Sequence, residues 1–325
     1  MIPPVPDVSL RGLPLAPGYV KFFDRWFLAR PVLMPPVWTI ALLGAVPPGT
    51  VVPFAVLPAF TPRIWIGLGL CFSLAGAVYI INQVFDIDSD RINNKAFFLP
   101  RGLISIRSAI IQAVIFQIIA IAGGWFFGRM WFVCSVLIAL LGVLYSIPFF
   151  RLKDRPFAGL LANAVGHGIL VFYLGLALAG PEALPAWGSS IAYAFAVAGV
   201  YLLTTVPDRD GDAAAAKRTM SVFLGPQRTA VLAVICVFGA LIAGSANRQW
   251  PIAITAAISL PLFFGAAFSE RLCAPAIRVP LILLSFFACL AFLPYFLILL
   301  LVYFSTRWYY RRRFGMPYPR MGTRR

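Results

Sequence analysis

The chain has 325 residues, 61% apolar and only 12% charged, with 27 Lys and Arg against 11 Asp and Glu for a formal net charge of +16. Soluble globules carry about 25% charged residues, so this composition, with a mean hydropathy of +0.88, excludes an ordinary soluble domain and predicts an all-α, polytopic membrane protein. The basic excess does not argue for nucleic acid, because no recognition module is present; in a membrane chain it is first a topology signal.

Residues 1–30 contain five prolines and no uninterrupted apolar core. They resemble neither a secretory signal nor a transit peptide and are expected to form a short cytoplasmic surface segment. Apolar runs of spanning length, about 17 to 25 residues, then follow at 31–46, 64–85, 108–127, 131–148, 157–179, 189–206, 229–244, 251–268 and 279–304. They predict nine transmembrane helices within one domain over 31–306, followed by a basic tail at 307–325. Pro35 and Pro36 interrupt the first run, and Pro47-Pro48-Gly49 ends it, leaving 50–62 as a loop or partial helix. The five cysteines stand singly on or beside apolar runs, without metal-ligand spacing, and read as packing residues.

With a cytoplasmic N-terminus, seventeen Lys and Arg fall on cytoplasmic segments and only Arg63, Arg129 and Arg248 on the opposite loops. That asymmetry fixes the orientation by the positive-inside rule. It predicts an integral protein of the cell's inner membrane with its acidic loops facing the cytoplasm. The tail is the exception, because its seven arginines fall outside after nine crossings. A break at Pro294 forming a re-entrant segment is one alternative, provided its backbone is buried in protein; the other is that late charges lose to earlier topology signals.

Six of the eleven acids lie in two short clusters, Asp86, Asp88 and Asp90 in NQVFDIDSD and Asp208, Asp210 and Asp212 in PDRDGD. Each follows a long apolar run, where a charge is costly enough to mark a functional site. Asn82, Asp86 and Asp90 at i, i+4, i+8 form one oxygen-rich stripe on a helix passing the membrane edge, and Asp208 and Asp212 repeat the i, i+4 spacing. Gly211 leaves the backbone open to a ligand. Hard oxygen donors without imidazole or thiolate suit Mg²⁺, which commonly bridges one or two carboxylates to phosphate oxygens. Two such groups on one face predict a metal-held diphosphate. Arg151 with Lys153 in RLKDR and Lys217 with Arg218 in AKRT are placed to neutralise its oxygens. Asp88 and Asp210 read as ordinary loop acids.

With these residues the chain resembles the UbiA superfamily of intramembrane prenyltransferases. NQVFD plus DSD reads as N-x-x-x-D-x-x-x-D through Asn82, Asp86 and Asp90; LPRGLIS follows. Further on stand YSIPFFRLK with Tyr145 and Lys153, then Asn163, then DRDGDAAAAKRTMSVFLG as D-x-x-G-D. The resemblance spans most of the chain, from Arg30 to Gly225. It implies a nine-helix bundle around a central cavity. It also implies that Asn82, Asp86, Asp90, Asp208 and Asp212 hold Mg²⁺ and the diphosphate of an isoprenyl donor, assisted by Lys153 and Lys217. Two departures stand out: Asn94 and Phe97 where arginines are frequent, and Ala216 where glycine is common.

The reaction so implied transfers an isoprenyl chain from a polyprenyl diphosphate to a hydrophobic acceptor, an aromatic ring or a lipid or alcohol hydroxyl, with surrounding membrane lipid as the medium. Bound Mg²⁺ stabilises the leaving diphosphate, and an apolar chamber keeps the allylic cation from water. Tyr79, Tyr145, Tyr173 and Tyr201 are candidates for its aromatic lining, Tyr145 foremost. Asn163 and the single histidine, His167, lie one turn apart where they orient an acceptor hydroxyl or simply bond across helices. A terpene cyclase of the same superfamily is the alternative. An ion-coupled transporter is a weaker one, because its acids belong near the bilayer midplane.

Overall fold

The computed structural model describes residues 18–50, 61–92, 98–180 and 187–318. Ten long helical elements follow one another among these residues. They are α1 (Asp24–Gly44), α2 (Pro62–Phe85), α3 (Ile106–Phe127), α4 (Arg129–Ser146), α5 (Pro156–Ala179), α6 (Trp187–Thr205), α7 (Pro226–Ala246), α8 (Trp250–Ala266), α9 (Glu270–Ala291) and α10 (Pro294–Phe314). Eight of them, α1 to α7 and α9, are both long and apolar enough to cross a membrane, and α8 is a shorter apolar helix of 17 residues. The protein is an integral membrane protein. Its helices expose apolar stripes suited to lipid: Ile111, Ile115, Ile118 and Ile119 on α3, and Val231, Ile235, Phe238 and Ile242 on α7.

Consecutive helices pack side by side, α6 on α7, α7 on α8 and α8 on α9, and α9 returns to α1, which also packs against α5. Small residues permit the closest crossings. A Cβ on Gly175 of α5 would lie 2.0 Å from the Ala41 carbonyl oxygen of α1, and one on Gly168 would lie 2.4 Å from the Ala194 Cα of α6. Near that second contact, residues Ala164–Leu170 of α5 are wound as a π-helix, a rare geometry often found at functional sites.

Three sequence expectations are corrected. The span expected at 279–304 is not one helix. It divides at Phe292 (φ −137°), and Pro294, which cannot donate a backbone hydrogen bond, opens α10 as a first-turn proline. Nine spans therefore become eight long apolar helices, α8 and an additional α10. The interruption of the first run falls at Arg30, which is left-handed (φ 57°) before Pro31; Pro35 and Pro36 sit in the first turn of the helix that follows, where proline costs little. Finally, residues 18–30 are not purely superficial: one side of the segment is exposed and the other packs into the bundle. Val20, Asp24, Phe27 and Leu28 are buried, and Phe27 stacks on Tyr309 of α10 at 3.8 Å between ring centroids.

That stacking shows where α10 goes. Tyr295 at its start donates to the Pro35 carbonyl at 3.0 Å, midway along α1, while Arg313 near its end binds Asp24 at the beginning of α1. Thus α10 runs antiparallel to α1 and returns to the face from which α1 starts. Arg307, Arg311, Arg312 and Arg313, which a nine-pass reading placed on the opposite side, therefore lie at the end where α1 starts, and the segment after the first motif packs on that end of α10: Phe98 lies against Tyr309 and Phe314. On the opposite face, Arg63 caps the end of α5 by donating to the Ala177 (2.9 Å) and Leu178 (3.2 Å) carbonyls. There also the Gly49 N–H donates to the Arg248 carbonyl.

Candidate active site

The first acidic motif caps α2. The helix ends at Phe85, Asp86 is the C-cap residue (φ −105°), and a short helix, Ile87–Ile92, resumes beyond it. The expected stripe is therefore not one uninterrupted helix. Its i, i+4 relation survives the break because the Asp90 N–H donates to the Asp86 carbonyl at 2.7 Å. The turn leaves the Asn82 and Asp86 side chains aimed at the same point. Lys153 occupies it: its ammonium donates to Asn82 Oδ1 at 3.0 Å and to Asp86 Oδ1 at 2.5 Å, with Ser146 Oγ 3.5 Å from the same asparagine oxygen. Lys153 is buried, so removing either partner would strand the other's charge away from water.

Lys153 reaches this point because the α4–α5 connection is tightly wound. Arg151 is left-handed (φ 38°), a 3-10 turn follows over Leu152–Asp154, and Pro156 starts α5. Arg151 itself pairs with Asp154 at 3.0 Å. It thus braces the loop rather than standing directly on either motif.

The second motif lies beyond α6, on the helical turn Arg209–Ala214, with Asp208 at its N-cap position. The Asp212 N–H donates to the Asp208 carbonyl at 2.8 Å, the Lys217 N–H to the Asp212 carbonyl at 2.9 Å, and Thr219 Oγ1 to Asp212 Oδ2 at 3.0 Å. Asp208 and Arg218 are exposed; Asp212 and Lys217 are half-buried. A Cβ on Gly211 would meet only open space, in keeping with a backbone left accessible.

One loop joins the two motifs. While Lys153 holds Asp86, the carbonyl of the next residue, Asp154, accepts from the Arg218 N–H at 3.1 Å. Beneath this junction the hydroxyls of Tyr145 on α4 and Tyr201 on α6 interact, Tyr145 within electrostatic reach of Asp86 and Tyr201 of Asp212. Asn163 Nδ2 donates to the Tyr145 hydroxyl at 3.3 Å and to the Gly159 carbonyl at 2.9 Å. Gly159 leaves room for this hydroxyl, because a Cβ would lie 2.5 Å from the Tyr201 oxygen and 3.1 Å from the Leu152 carbonyl and would push the tyrosine aside.

The structure thus brings Asn82, Asp86, Lys153, Tyr145, Asn163, Tyr201, Asp212 and Thr219 to one end of the bundle, with Asp90, Asp208, Lys217 and Arg218 on the same turns. His167 follows in the π-helical segment, while the Asn163 amide is directed to Tyr145 and Gly159. Asp88 is exposed, 3.9 Å from Arg91. Asn94 and Phe97 lie outside the described residues. Ala216 adopts φ 54°, a left-handed conformation that glycine accepts without strain. Sequence reasoning missed Asp154 and Gly159. Asp154 is signalled only by adjacency to Lys153, and Gly159 matters through contacts with the Tyr201 hydroxyl of α6 and the Leu152 carbonyl that no local pattern records.

These donors suit a hard cation. Among the described residues no three His, Cys, Asp or Glu side chains converge, yet two protein oxygens, from Asn82 and Asp86, already grip one positive charge, the Lys153 ammonium. An oxygen-only donor set completed by waters and phosphate oxygens is what Mg²⁺ selects.

The profile of the UbiA prenyltransferase family matches residues 33–272. The chain belongs to this family. It is accordingly an enzyme of the prenyltransferase class, and the resemblance read from its motifs extends through α9's first turn. Among curated relatives, digeranylgeranylglyceryl phosphate synthase of Methanoculleus marisnigri is 32% identical over 193 residues, covering 58% of this chain and 68% of the relative. Homogentisate phytyltransferase of Synechocystis is 28% identical over 187 residues, covering 54% and 60%. The fold matches a UbiA homologue from Archaeoglobus fulgidus, solved bound to GPP and Mg²⁺, with a TM-score of 0.64 and 21% identity; 83% of this chain covers 99% of that one. The neighbour is thus spanned almost whole while part of this chain remains over, and the family match stops before α10.

Proposed function

We propose that the protein is a Mg²⁺-dependent prenyltransferase that moves an isoprenyl chain from a polyprenyl diphosphate to a hydrophobic acceptor, an aromatic ring or a lipid or alcohol hydroxyl, and releases diphosphate. The observation that carries this reading is the single loop gripping both acidic motifs, Lys153 on Asn82 and Asp86, Asp154 on Arg218. It supports a diphosphate site spanning the two motifs. Relatives named for phytyl transfer and for digeranylgeranylglyceryl phosphate synthesis support a long isoprenoid donor.

Asn82, Asp86, Asp90, Asp208 and Asp212 would hold the metal. When bound, Mg²⁺ supplies Lewis-acid stabilisation of the departing diphosphate. Lys153 and Lys217 contribute positive charge where the leaving group accumulates negative charge, with Arg218 beside them and Arg151 holding the loop. As the allylic C–O bond lengthens, Tyr145 and Tyr201, whose hydroxyls lie beneath the two motifs, would offer aromatic rings to the positive carbon. Asn163 fixes the Tyr145 hydroxyl. The acceptor nucleophile then attacks that carbon, forming the new bond in place of the broken C–O bond, and its proton passes to the released diphosphate. The helices exclude water, which would otherwise capture the cation. The cation bias among the loops supports a site facing the cytoplasm.

The test incubates purified protein with a radiolabelled prenyl diphosphate and Mg²⁺, with and without candidate acceptors. Acceptor-dependent diphosphate release is expected, and Asp86→Asn or Asp208→Asn should lower it by about 10²-fold or more while the protein remains folded and membrane-inserted. Near-native turnover in either variant would overturn the assignment.

A further inference from the structure

We infer that residues 18–27, the short helix Gly18–Phe22 leading into the first turn of α1, and the end of α10 together form a binding surface for the headgroups of acidic phospholipids. The inference is independent of the proposed reaction. Two antiparallel segments make the surface. On α10, the i, i+4 pairs Tyr309/Arg313 and Tyr310/Phe314 face inward; Tyr309, Tyr310 and Phe314 are buried. The remaining positions of the same turns, Arg307, Trp308, Arg311 and Arg312, are exposed. Across from them, Val20, Asp24 and Phe27 point into the bundle, leaving Lys21, Phe22, Phe23, Arg25 and Trp26 exposed. Phe23 and Trp308 join the two halves, edge to face at 6.1 Å.

Five cations therefore stand among four aromatic side chains at this end of the bundle, with Trp26 anchored by stacking on Phe72 of α2 at 4.3 Å between ring centroids. Its charge is uncompensated by acids of its own segments: 294–318 contains no Asp or Glu, and Asp24 is turned inward, where Arg313 donates to its oxygens at 3.0 and 2.9 Å and Tyr309 at 2.5 Å. Arg313 is the cation spent on holding the fold; of the exposed five, Arg307 donates to the neutral Tyr303 hydroxyl at 3.3 Å, so all five charges remain unneutralised for a partner. That partner is anionic by charge complementarity. Its chemistry is set by position: below the cations, Leu297, Leu301 and Phe304 of α10 are exposed apolar residues that meet acyl chains. Tryptophan and tyrosine mark headgroup depth, and basic clusters immediately beside spanning helices bind acidic lipid headgroups. Arginine fits a phosphodiester particularly well because its planar fork makes two parallel hydrogen bonds.

The full chain is reconstituted in bilayers of equimolar phosphatidylglycerol and phosphatidylcholine, extracted in mild detergent, and examined by native mass spectrometry for retained lipid. Wild type should retain phosphatidylglycerol selectively, less so at high salt. Each exposed cation contributes about fivefold to affinity, so Arg307→Gln/Arg311→Gln/Arg312→Gln should lower relative affinity on the order of 100-fold, while the corresponding triple lysine variant keeps most of it. Lys21→Gln/Arg25→Gln, on the other segment, gives an independent reduction should the triple glutamine variant fail to fold. Equal retention of the two lipids by wild type, or unchanged selectivity in the folded glutamine variants, would overturn the inference.

Discussion

Ala216 shows how one side chain records a backbone requirement. The turn that carries Lys217 back to the Asp212 carbonyl needs a left-handed residue at position 216, and alanine in that conformation is strained by about 1 to 2 kcal/mol. Glycine removes the strain but returns about 0.5 to 1 kcal/mol of unfolded-state entropy. Ala216→Gly is therefore expected to stabilise the protein by roughly 0.5 to 1 kcal/mol, measured as a higher midpoint of thermal unfolding in detergent. A lower midpoint would show that the left-handed turn is not retained in the membrane. The strain itself was not legible in the sequence; the unusual alanine was, because the resemblance supplied the expected glycine. Lys153 illustrates the other side. Its charge class was readable, while its grip on Asn82 and Asp86 depends on the left-handed turn at Arg151, which no propensity for arginine foretells.

At the scale of elements, α10 and α1 are locked by a buried ion pair. The Asp24 and Arg313 side chains are each about 10% exposed, so removing one partner strands the other charge in an apolar setting at a cost of about 3 to 5 kcal/mol. Arg313→Met should thus sharply lower thermal stability, and Asp24→Asn/Arg313→Met should recover part of the loss, because the stranded carboxylate is gone. Additive losses in a double-mutant cycle would deny the coupling. The break at Phe292–Pro294 that creates α10 was foreseen only as an alternative. A 26-residue apolar run satisfies the length rule for a single tilted helix, and hydropathy carries no record of a chain reversal inside it. The α2 break at Asp86 escaped for a similar reason: i, i+4 spacing is preserved by the Asp90–Asp86 hydrogen bond, so the pattern looks the same with or without a continuous helix.

For the whole molecule, the return of α10 makes the charge distribution consistent. The arginines of α10, the loop containing Phe98 and both aspartate motifs share one face, whereas Arg63 and Arg248 lie on the other. Single cysteines placed at Asp88 and Gly315 should both react with a membrane-impermeant maleimide from the same side of sealed vesicles, and one at Arg129 only from the opposite side. Labelling of positions 88 and 315 from different sides would refute the antiparallel course of α10. The acids also lie at helix ends rather than midway along spans, which separates this arrangement from the midplane sites of ion-coupled transporters.

By itself the sequence determined that the chain is a helical membrane protein, that its acids form two matched oxygen clusters on one face, and that these clusters resemble a prenyltransferase site. Those properties are local: hydropathy is summed along a run, and i, i+4 spacing is fixed by helical pitch. Tertiary structure alone decided that Lys153 and Asp154 tie the clusters together, that Gly159 admits the Tyr201 hydroxyl, and that the last apolar run doubles back to bury Arg313 on Asp24. Each of these joins residues from different helices, and their contact energies depend on which helices cross and how closely, quantities that no single segment contains.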